Sequence, residues 1–563
     1  MTGILFFLIF LLQITANFVW LSYNKLIPVC DIATDFTSTI KYLELLQHPT
    51  INIFKDISQV VANDYFRLPF AKLVILPFLY FLPKNMFVAT VVMDCVFWLI
   101  LLLSVFYLGK LIKDEKTGLL ACFIVSMYPG LFSLSRVYLV DFPLVAMVTL
   151  FVFTLIGLLN SSKSYLFVLF AIGFIGGNLT KCNFSVFIIG ALIYFLFKIN
   201  FSGSSPATHK INRLLFLSSV FLLIYYCSDL SGHLTILQWQ GWRGILEGEP
   251  SFTQLSGWVY YIKAIISDIS IFYSFLFLIG ALFINKIKKE FKWILILWII
   301  SSYVIMTIFR NKDLRYIMPV LPALALITSF GLLSIPRLAI KRVLIFLVVI
   351  FGLTQLYFSS FGKVSLHPSR LIVDIESYEW INCMDRRPPE TWKVDKVLSA
   401  IEDDWKKSGA KGCPLVMSCS NHIIYQTHAL KYFTYIYNKK INFLDIQCLD
   451  SGFIKRFGND LIKQYAVSKG IFFVDGKESC KVRDILFKKE MNIPSYYPKD
   501  ISQVSYLICD TSKVDPFHYI TEGLDFIHKT IEENKNSLDC IFNDDLPDGE
   551  RVYCYKLINY YAK

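Results

Sequence analysis

The sequence predicts a polytopic α-helical membrane protein with about 11 transmembrane helices and a C-terminal extracytoplasmic α/β domain. Three observations predict this class. The 563 residues are 55% hydrophobic and 16% aromatic, with mean hydropathy +0.53, too apolar for one soluble globule. Apolar runs long enough to cross a bilayer recur up to residue 361. Beyond residue 362 charged and turn-forming residues appear every few positions.

The spans fall near 3–23, 86–108, 117–134, 138–159, 165–180, 183–198, 213–229, 259–284, 292–309, 316–335 and 342–361. Residues 68–83 form a further short span or a helix lying in the interface. The first run lacks a basic leader and a small-residue cleavage site, and Gln13 and Asn17 interrupt it. It therefore reads as a retained helix rather than a signal peptide.

Loop charge sets the orientation. Loops 109–116 (GKLIKDEK), 198–213, 285–292 (NKIKKEFK) and 335–342 (IPRLAIKR) are basic and share one face, which is cytoplasmic. Residues 24–68, 134–138, 181–183, 230–258 and 310–316 then lie outside, as does the chain after 362. The cytoplasmic loops account for part of the net charge of +12, and no nucleic-acid module is present. The expected location is a bacterial inner membrane.

Two domains follow: residues 1–362 in the membrane, with a long first external loop at 24–68, and a soluble domain at 363–563. Asp31 to Gln47 and Ile53 to Tyr65 form amphipathic helices on the membrane surface. The second long loop carries Trp239, Gly241, Trp242, Gly244, Gly248 and Pro250; it stacks on a flat or sugar-like ligand or forms an interfacial belt. In the tail, Val394, Val397, Leu398, Ile401 and Trp405 recur at helical spacing before Gly409. Short β-rich runs at 414–420, 441–448, 470–475, 506–510 and 552–557 alternate with helical stretches at 421–440 and 522–535, an α/β pattern. The tail cysteines form no Cys-x-x-Cys pair, so a zinc site is not indicated, while their disulfide pairing is open.

Ionisable residues gather where spans meet the outer face. Asp31 and Asp35 follow the first span, and Arg67 precedes Leu68-Pro69-Phe70. Arg136 and Asp141 open the fourth span, Lys181 sits in a tight turn, and Arg310, Lys312, Arg315 and Tyr316 open the tenth. Basic groups normally collect on the cytoplasmic side, so an outer cluster needs a reason. Taken singly, each has a plain explanation. Arg136 and Asp141 would pair with each other, Lys181 would snorkel to the headgroups, and Asp94 would hydrogen-bond a neighbouring helix. Together they suit transfer from a lipid phosphate: cations hold the phosphate as the sugar–oxygen bond breaks, and a carboxylate takes the acceptor proton. A hydrolase would need the same parts and an ordered water. No cofactor is called for, and a divalent metal remains open.

These residues resemble the GT-C superfamily of integral-membrane glycosyltransferases, near the protein O-mannosyltransferase and aminoarabinose lipid A transferase group. Asp31 and Asp35 resemble the acidic first-loop motif, although Ile32 stands where relatives often carry a second acidic residue. The stretch from Ser135 to Leu144 (SRVYLVDFPL) resembles the family's Arg-x4-Asp-x-x-Leu helix start. Leu179-Thr180-Lys181 resembles its Leu-Thr-Lys turn, and Lys312 to Pro319 (KDLRYIMP) its Arg-Tyr-x-x-Pro segment. The turn at Arg67 matches only loosely, and the closing Leu546 to Tyr553 (LPDGERVY) resembles appended extracytoplasmic domains.

The resemblance implies an inverting single displacement from a polyprenyl-phosphate sugar to a hydroxyl of a lipid, glycan or protein acceptor. Asp31 would be the base, with Asp35 the alternative. Arg315, Lys312, Arg310, Tyr316 and Lys181 would bind the donor phosphate; Arg136, Asp141 and Arg67 would organise the cavity. A transporter or flippase of an anionic lipid is the alternative, and a non-enzymatic scaffold displaying the tail the third reading.

Overall fold

The computed structural model describes residues 2–24, 27–28, 30–49, 52, 68–82, 85–201, 206–227, 244, 249–361, 389–419, 425, 427–444, 447–450, 471–474, 505–510 and 538–557. Its contacts separate into two units. The first is Met1–Asn24, Lys41–Leu234 and Gln240–Met384; the second is Lys25–Ile40, Thr235–Trp239 and Asp385–Lys563. Arg67, the Trp239–Trp242 stretch, the 53–65 segment and the 522–535 stretch lie outside the described residues.

Apolar runs become helices because a backbone in lipid must satisfy its own hydrogen bonds. In chain order these are α1 (Thr2–Tyr23), α2 (Cys30–Gln47), α3 (Phe70–Phe81), α4 (Met86–Ile112), α5 (Glu115–Ser126), α6 (Pro129–Leu134), α7 (Asp141–Asn160) and α8 (Ser164–Asn178). They continue as α9 (Phe184–Phe201), α10 (Pro206–Cys227), α11 (Leu255–Ile269), α12 (Ile271–Ala281), α13 (Lys289–Ile308), α14 (Leu321–Ser334) and α15 (Leu338–Phe361). A 3₁₀ turn, Leu314–Val320, leads into α14.

Among the described residues 8 helical segments are long and apolar enough to cross a membrane, or 9 if the bent pair α11–α12 counts as one span. Two of the expected spans are broken. The 259–284 run is two helices meeting at 107°, because Ser270 takes a left-handed φ of 73° that interrupts the helical ladder. The 117–134 run divides into α5 and α6 around Met127 and Tyr128, with Pro129 at the first position of α6, where its missing N–H costs nothing.

Burial sorts the spans into centre and rim. In α7 and in Leu314–Ser334, 89% of the apolar window is buried, whereas α10 buries 17% of its window. Phe216, Leu223 and Ile224 of α10, and Val343 and Phe346 of α15, face outward as lipid-facing side chains do. The two most buried spans therefore begin at Asp141 and beside Arg315.

Asp94 departs from its expected role. It lies on α4 with no exposure, and neither carboxylate oxygen has a hydrogen-bond partner among the described residues. Trp98, one turn on along the same helix, has an Nε1 that is likewise unpartnered there. The helix–helix hydrogen bond expected for Asp94 is not made among the described residues.

The second unit contains α16 (Val394–Lys407), α17 (Thr427–Ile436) and strands β1 (Leu415–Cys419), β2 (Asn442–Leu444), β3 (Gln447–Asp450), β4 (Ile471–Val474), β5 (Tyr506–Asp510), β6 (Leu538–Asp545) and β7 (Arg551–Leu557). Five strands form a mixed sheet in the order β2-β1-β5-β7-β6; β3 and β4 make a separate parallel pair. Strand β1 runs parallel to β2 and β5, while β7 is antiparallel to β5 and β6. The crossover from β1 to β2 through α17 is the connection that parallel pairing requires. Tyr506, Leu507 and Ile508 of central β5 are fully buried, as a covered inner strand demands. Val394, Val397, Leu398 and Ile401 form the buried stripe of α16, and Asp404 fixes that helix by accepting from Tyr506 Oη (2.6 Å) and Lys556 Nζ (2.7 Å). The LPDGERVY segment is the β6–β7 turn, where Gly549 supplies a φ of 90° that a side chain would strain. Strand β6 was not foreseen. Among the described residues, Cys413, Cys509, Cys540 and Cys554 are free thiols.

An unpartnered buried carboxylate is a stability liability, so Asp94→Asn should raise the melting midpoint in detergent. A lowered midpoint would reveal a partner that the native carboxylate needs.

Candidate functional site

The site of the first unit is built around Asp141. Its position in the first turn of α7 sets the carboxylate against the positive end of a helix dipole. Lys181 Nζ donates to Asp141 Oδ1 at 2.7 Å, and Arg315 Nη1 lies 3.8 Å from Oδ2. Asp141 and Arg315 are buried, with side-chain exposures of 4% and 8%. The second distance exceeds a hydrogen bond but keeps the charges in strong coulombic contact.

Each cation has a local reason for its place. Lys181 follows the end of α8 in a turn that Gly177 makes possible: a Cβ there would meet the Phe184 ring at 2.1 Å. The same turn is tied down by Phe70 N–H donating to the Leu179 carbonyl (3.0 Å) and Tyr226 Oη donating to that of Asn178 (2.9 Å). Lys181 Nζ also stands 4.3 Å from the centre of the Tyr316 ring, a cation–π distance. Burial alone would lower its pKa, but Asp141 and Tyr316 overcome that and hold it above the ordinary lysine value.

Arg315 is oriented by Asp313, the cap of the 3₁₀ turn. One Asp313 oxygen accepts from the Arg315 backbone N–H at 3.1 Å, and the other from Arg315 Nε at 2.9 Å. Two cations and two carboxylates thus interlock, and one face of Tyr316 lies against Lys181.

Lys312, expected at the donor phosphate, turns its ammonium to the backbone. Its ammonium donates to the carbonyls of Thr307 (2.7 Å), Phe309 (2.8 Å) and Met306 (3.4 Å), closing the C-terminal end of α13. All three of its donors are directed at the backbone, and they shape the junction. Burial, with help from Arg310, pushes its pKa down to about 8 against the pull of Glu249. Glu249 accepts from the Lys312 backbone N–H. Gly244 packs so closely on Arg310 that a Cβ would stand 2.4 Å from the Arg310 carbonyl oxygen. The end of the second long loop therefore braces residues 310–312. Arg310 itself is half-buried.

Arg136 and Asp141 do not pair with each other. Arg136 is fully buried between the Trp20 and Phe132 rings, each 5.1 Å from its guanidinium carbon. It donates to Asn17 Oδ1 (3.0 Å) and Ser360 Oγ (2.7 Å), which joins α1 and α15 to the turn before α7. Asn17 also donates to Ser135 Oγ at 2.9 Å.

Asp31 and Asp35 lie in the second unit, on the N-terminal half of α2. Asp31, Thr34, Thr37, Lys41 and Glu44 form the more accessible stripe of that helix, whereas Asp35 is 1% exposed. Glu249 and Ser360 have no counterpart in the sequence reading, and the roles of Asp313, Gly244 and Asn17 were not legible there. Only Asp313 carried a signal, as a capping residue before the Arg-Tyr pair. Among the described residues, no group of three or more His, Cys, Asp or Glu is gathered as metal ligands are.

The chain is a multi-pass integral membrane protein, and it shares its fold with solved structures of other proteins. The protein is similar to ArnT from Cupriavidus metallidurans bound to undecaprenyl phosphate, with 11% identity, a TM-score of 0.57 and 97% of each chain covered. The apo state of that enzyme aligns with a TM-score of 0.55 at 10% identity, again over 97% of each chain. An apo oligosaccharyltransferase from Archaeoglobus fulgidus aligns with a TM-score of 0.51 at 12% identity, over 100% of this chain and 75% of that one. No family model and no curated protein matches the sequence.

Removing one partner of a buried pair leaves an uncompensated charge and costs about 3–5 kcal/mol. Asp141→Asn, which exposes Lys181 and Arg315 to each other, should lower stability by about that amount, and adding Lys181→Met should restore most of it. A double-mutant cycle on the detergent melting midpoint checks this. For Lys312, the unfolded chain holds one more proton than the folded chain between about 8 and 10.5. Stability should therefore rise with pH across that window, and Lys312→Met should remove that slope.

Proposed function

We propose that the protein is a glycosyltransferase that moves a sugar from a polyprenyl-phosphate donor to an acceptor hydroxyl on the extracytoplasmic face. The observation that carries this reading is the Asp141 cluster, which brings Lys181 and Arg315 together at the starts of the two most buried spans. An isoprenoid tail lies along apolar helices and leaves its phosphate at the interface, where such cations meet it. The GT-C fold supports the reading, and so does the undecaprenyl phosphate held by the similar ArnT structure.

In this reaction the acceptor oxygen attacks the anomeric carbon and the bond from that carbon to the phosphate oxygen breaks. Arg315 and Lys181 stabilise the negative charge growing on the leaving phosphate, with Arg310 contributing to the local field. Asp141 and Asp313 hold the two cations in position before the donor arrives. Lys312 and Arg136 keep the surrounding helix ends in place. Asp31 takes the acceptor proton; its place on the accessible stripe of α2 favours it over buried Asp35. The sugar departs in one displacement, so its configuration inverts.

Purified protein incubated with polyprenyl-phosphate sugars and an acceptor extract should release polyprenyl phosphate. Asp31→Asn should cut that release by about 10²–10⁴-fold while leaving the melting midpoint unchanged. Full activity in Asp31→Asn with loss in Asp35→Asn would move the role to Asp35. Movement of intact donor across the bilayer without release would favour the flippase reading.

A further inference from the structure

The helix that carries Asp31 is a poor helix on its own. Residues Cys30–Gln47 (CDIATDFTSTIKYLELLQ) begin with Asp, Thr, Ser and β-branched residues, which favour caps, turns or strands over helix interiors. An isolated helix of this length and composition is marginal in water, so its order depends on what it packs against. Its N-terminal half groups with the C-terminal residues of the second unit. Ile32, Ala33 and Phe36 are fully buried, and the Phe36 ring stacks on Tyr432 with centroids 5.7 Å apart and planes inclined by 29°. Tyr432 belongs to α17, the crossover between β1 and β2, so its backbone is fixed by the sheet. Phe433 and Tyr437 stack on each other at 5.7 Å beside it and stiffen the same surface.

From this packing we infer that the C-terminal domain is a positioning element for the catalytic helix. Tyr432 is its contact residue, acting through Phe36 to set where Asp31 stands. The inference rests on the transferase reading for its effect on turnover. Phe36 lies five residues from Asp31, just over one helical turn, so an anchored ring fixes the carboxylate closely. The domain that sequence alone leaves without a task is thus tied to the chemistry through the Phe36–Tyr432 stack. Tyr432 touches neither donor nor acceptor in this scheme; it holds the residue that does.

The test uses the full-length protein in nanodiscs, with Tyr432→Ala, Phe36→Ala and Tyr432→Phe. Hydrogen exchange over residues 30–40 reports docking whether or not the protein is active. Tyr432→Ala and Phe36→Ala should speed exchange there while leaving α7 protected; Tyr432→Phe, which keeps the ring, should match wild type. A displacement of about 1 Å at a reacting group costs on the order of 10²-fold, so kcat should fall by about that factor with KM for the donor nearly unchanged. Unchanged exchange at 30–40 in Tyr432→Ala would overturn the inference, as would a selective rise in donor KM at constant kcat. If wild type released no polyprenyl phosphate, the transferase reading would fail, and the exchange arm would still decide the docking.

Discussion

Two cations cannot be brought together inside an apolar bundle without a counter-charge, and Asp141 supplies it. The carboxylate accepts directly from Lys181 and sits within 4 Å of Arg315, although these residues enter from segments far apart in the chain. Without it, desolvation and mutual repulsion would drive Lys181 and Arg315 apart. Much of the surrounding packing answers to this constraint. The α8–α9 turn is tight enough to aim Lys181, the 3₁₀ turn before α14 is capped by Asp313 to aim Arg315, and α7 begins where its dipole favours an anion. The interlocked charges are nearly neutral as a set. In the proposed reaction an incoming phosphate redistributes existing ion pairs rather than meeting uncompensated charge.

Around this centre the remaining charges act on backbone geometry. Lys312 closes the end of α13, Arg136 ties α1 and α15 to the turn before α7, and Gly244 and Glu249 press the second loop onto residues 310–312. These contacts set charges that brace the backbone apart from those that join the Asp141 cluster, among residues that look alike in composition. The second unit divides its work in the same way. Its sheet buries β5 centrally, its exposed turn at Gly549 is local, and its α17 surface receives the helix that bears Asp31.

Much of the membrane fold was legible because hydropathy acts over whole spans. Every expected run in the first unit coincides with a helix or a helix pair. The breaks at Ser270 and Met127–Tyr128 were hidden because an apolar run carries no mark of the angle at which its halves meet. The helical stripe of α16 and the strands β1, β5 and β7 followed from periodicity and turn residues. Strand β6 did not, since Leu538 to Asp545 (LDCIFNDD) is an edge strand whose exposed residues hide the alternation. At the site, residue type and position in the sequence singled out a set of charges, but not which of them meet. Arg136 and Asp141 are close in sequence and go to different partners, because the turn between them directs one side chain toward Asn17 and Ser360 and the other toward Lys181. Lys312 and Arg315 are separated by two residues, yet one caps a helix and the other joins the cluster. Such assignments depend on helix ends brought together by the fold, and local spacing does not encode them.

The most direct measurement is a structure of the protein with a polyprenyl phosphate bound. The account predicts phosphate oxygens within hydrogen-bond distance of the Arg315 guanidinium and the Lys181 ammonium, with the isoprenoid chain against the outer surface of the bundle. A phosphate held elsewhere, with the Lys181–Asp141 and Arg315–Asp313 pairs undisturbed and remote from it, would contradict the assignment of this cluster as the donor site.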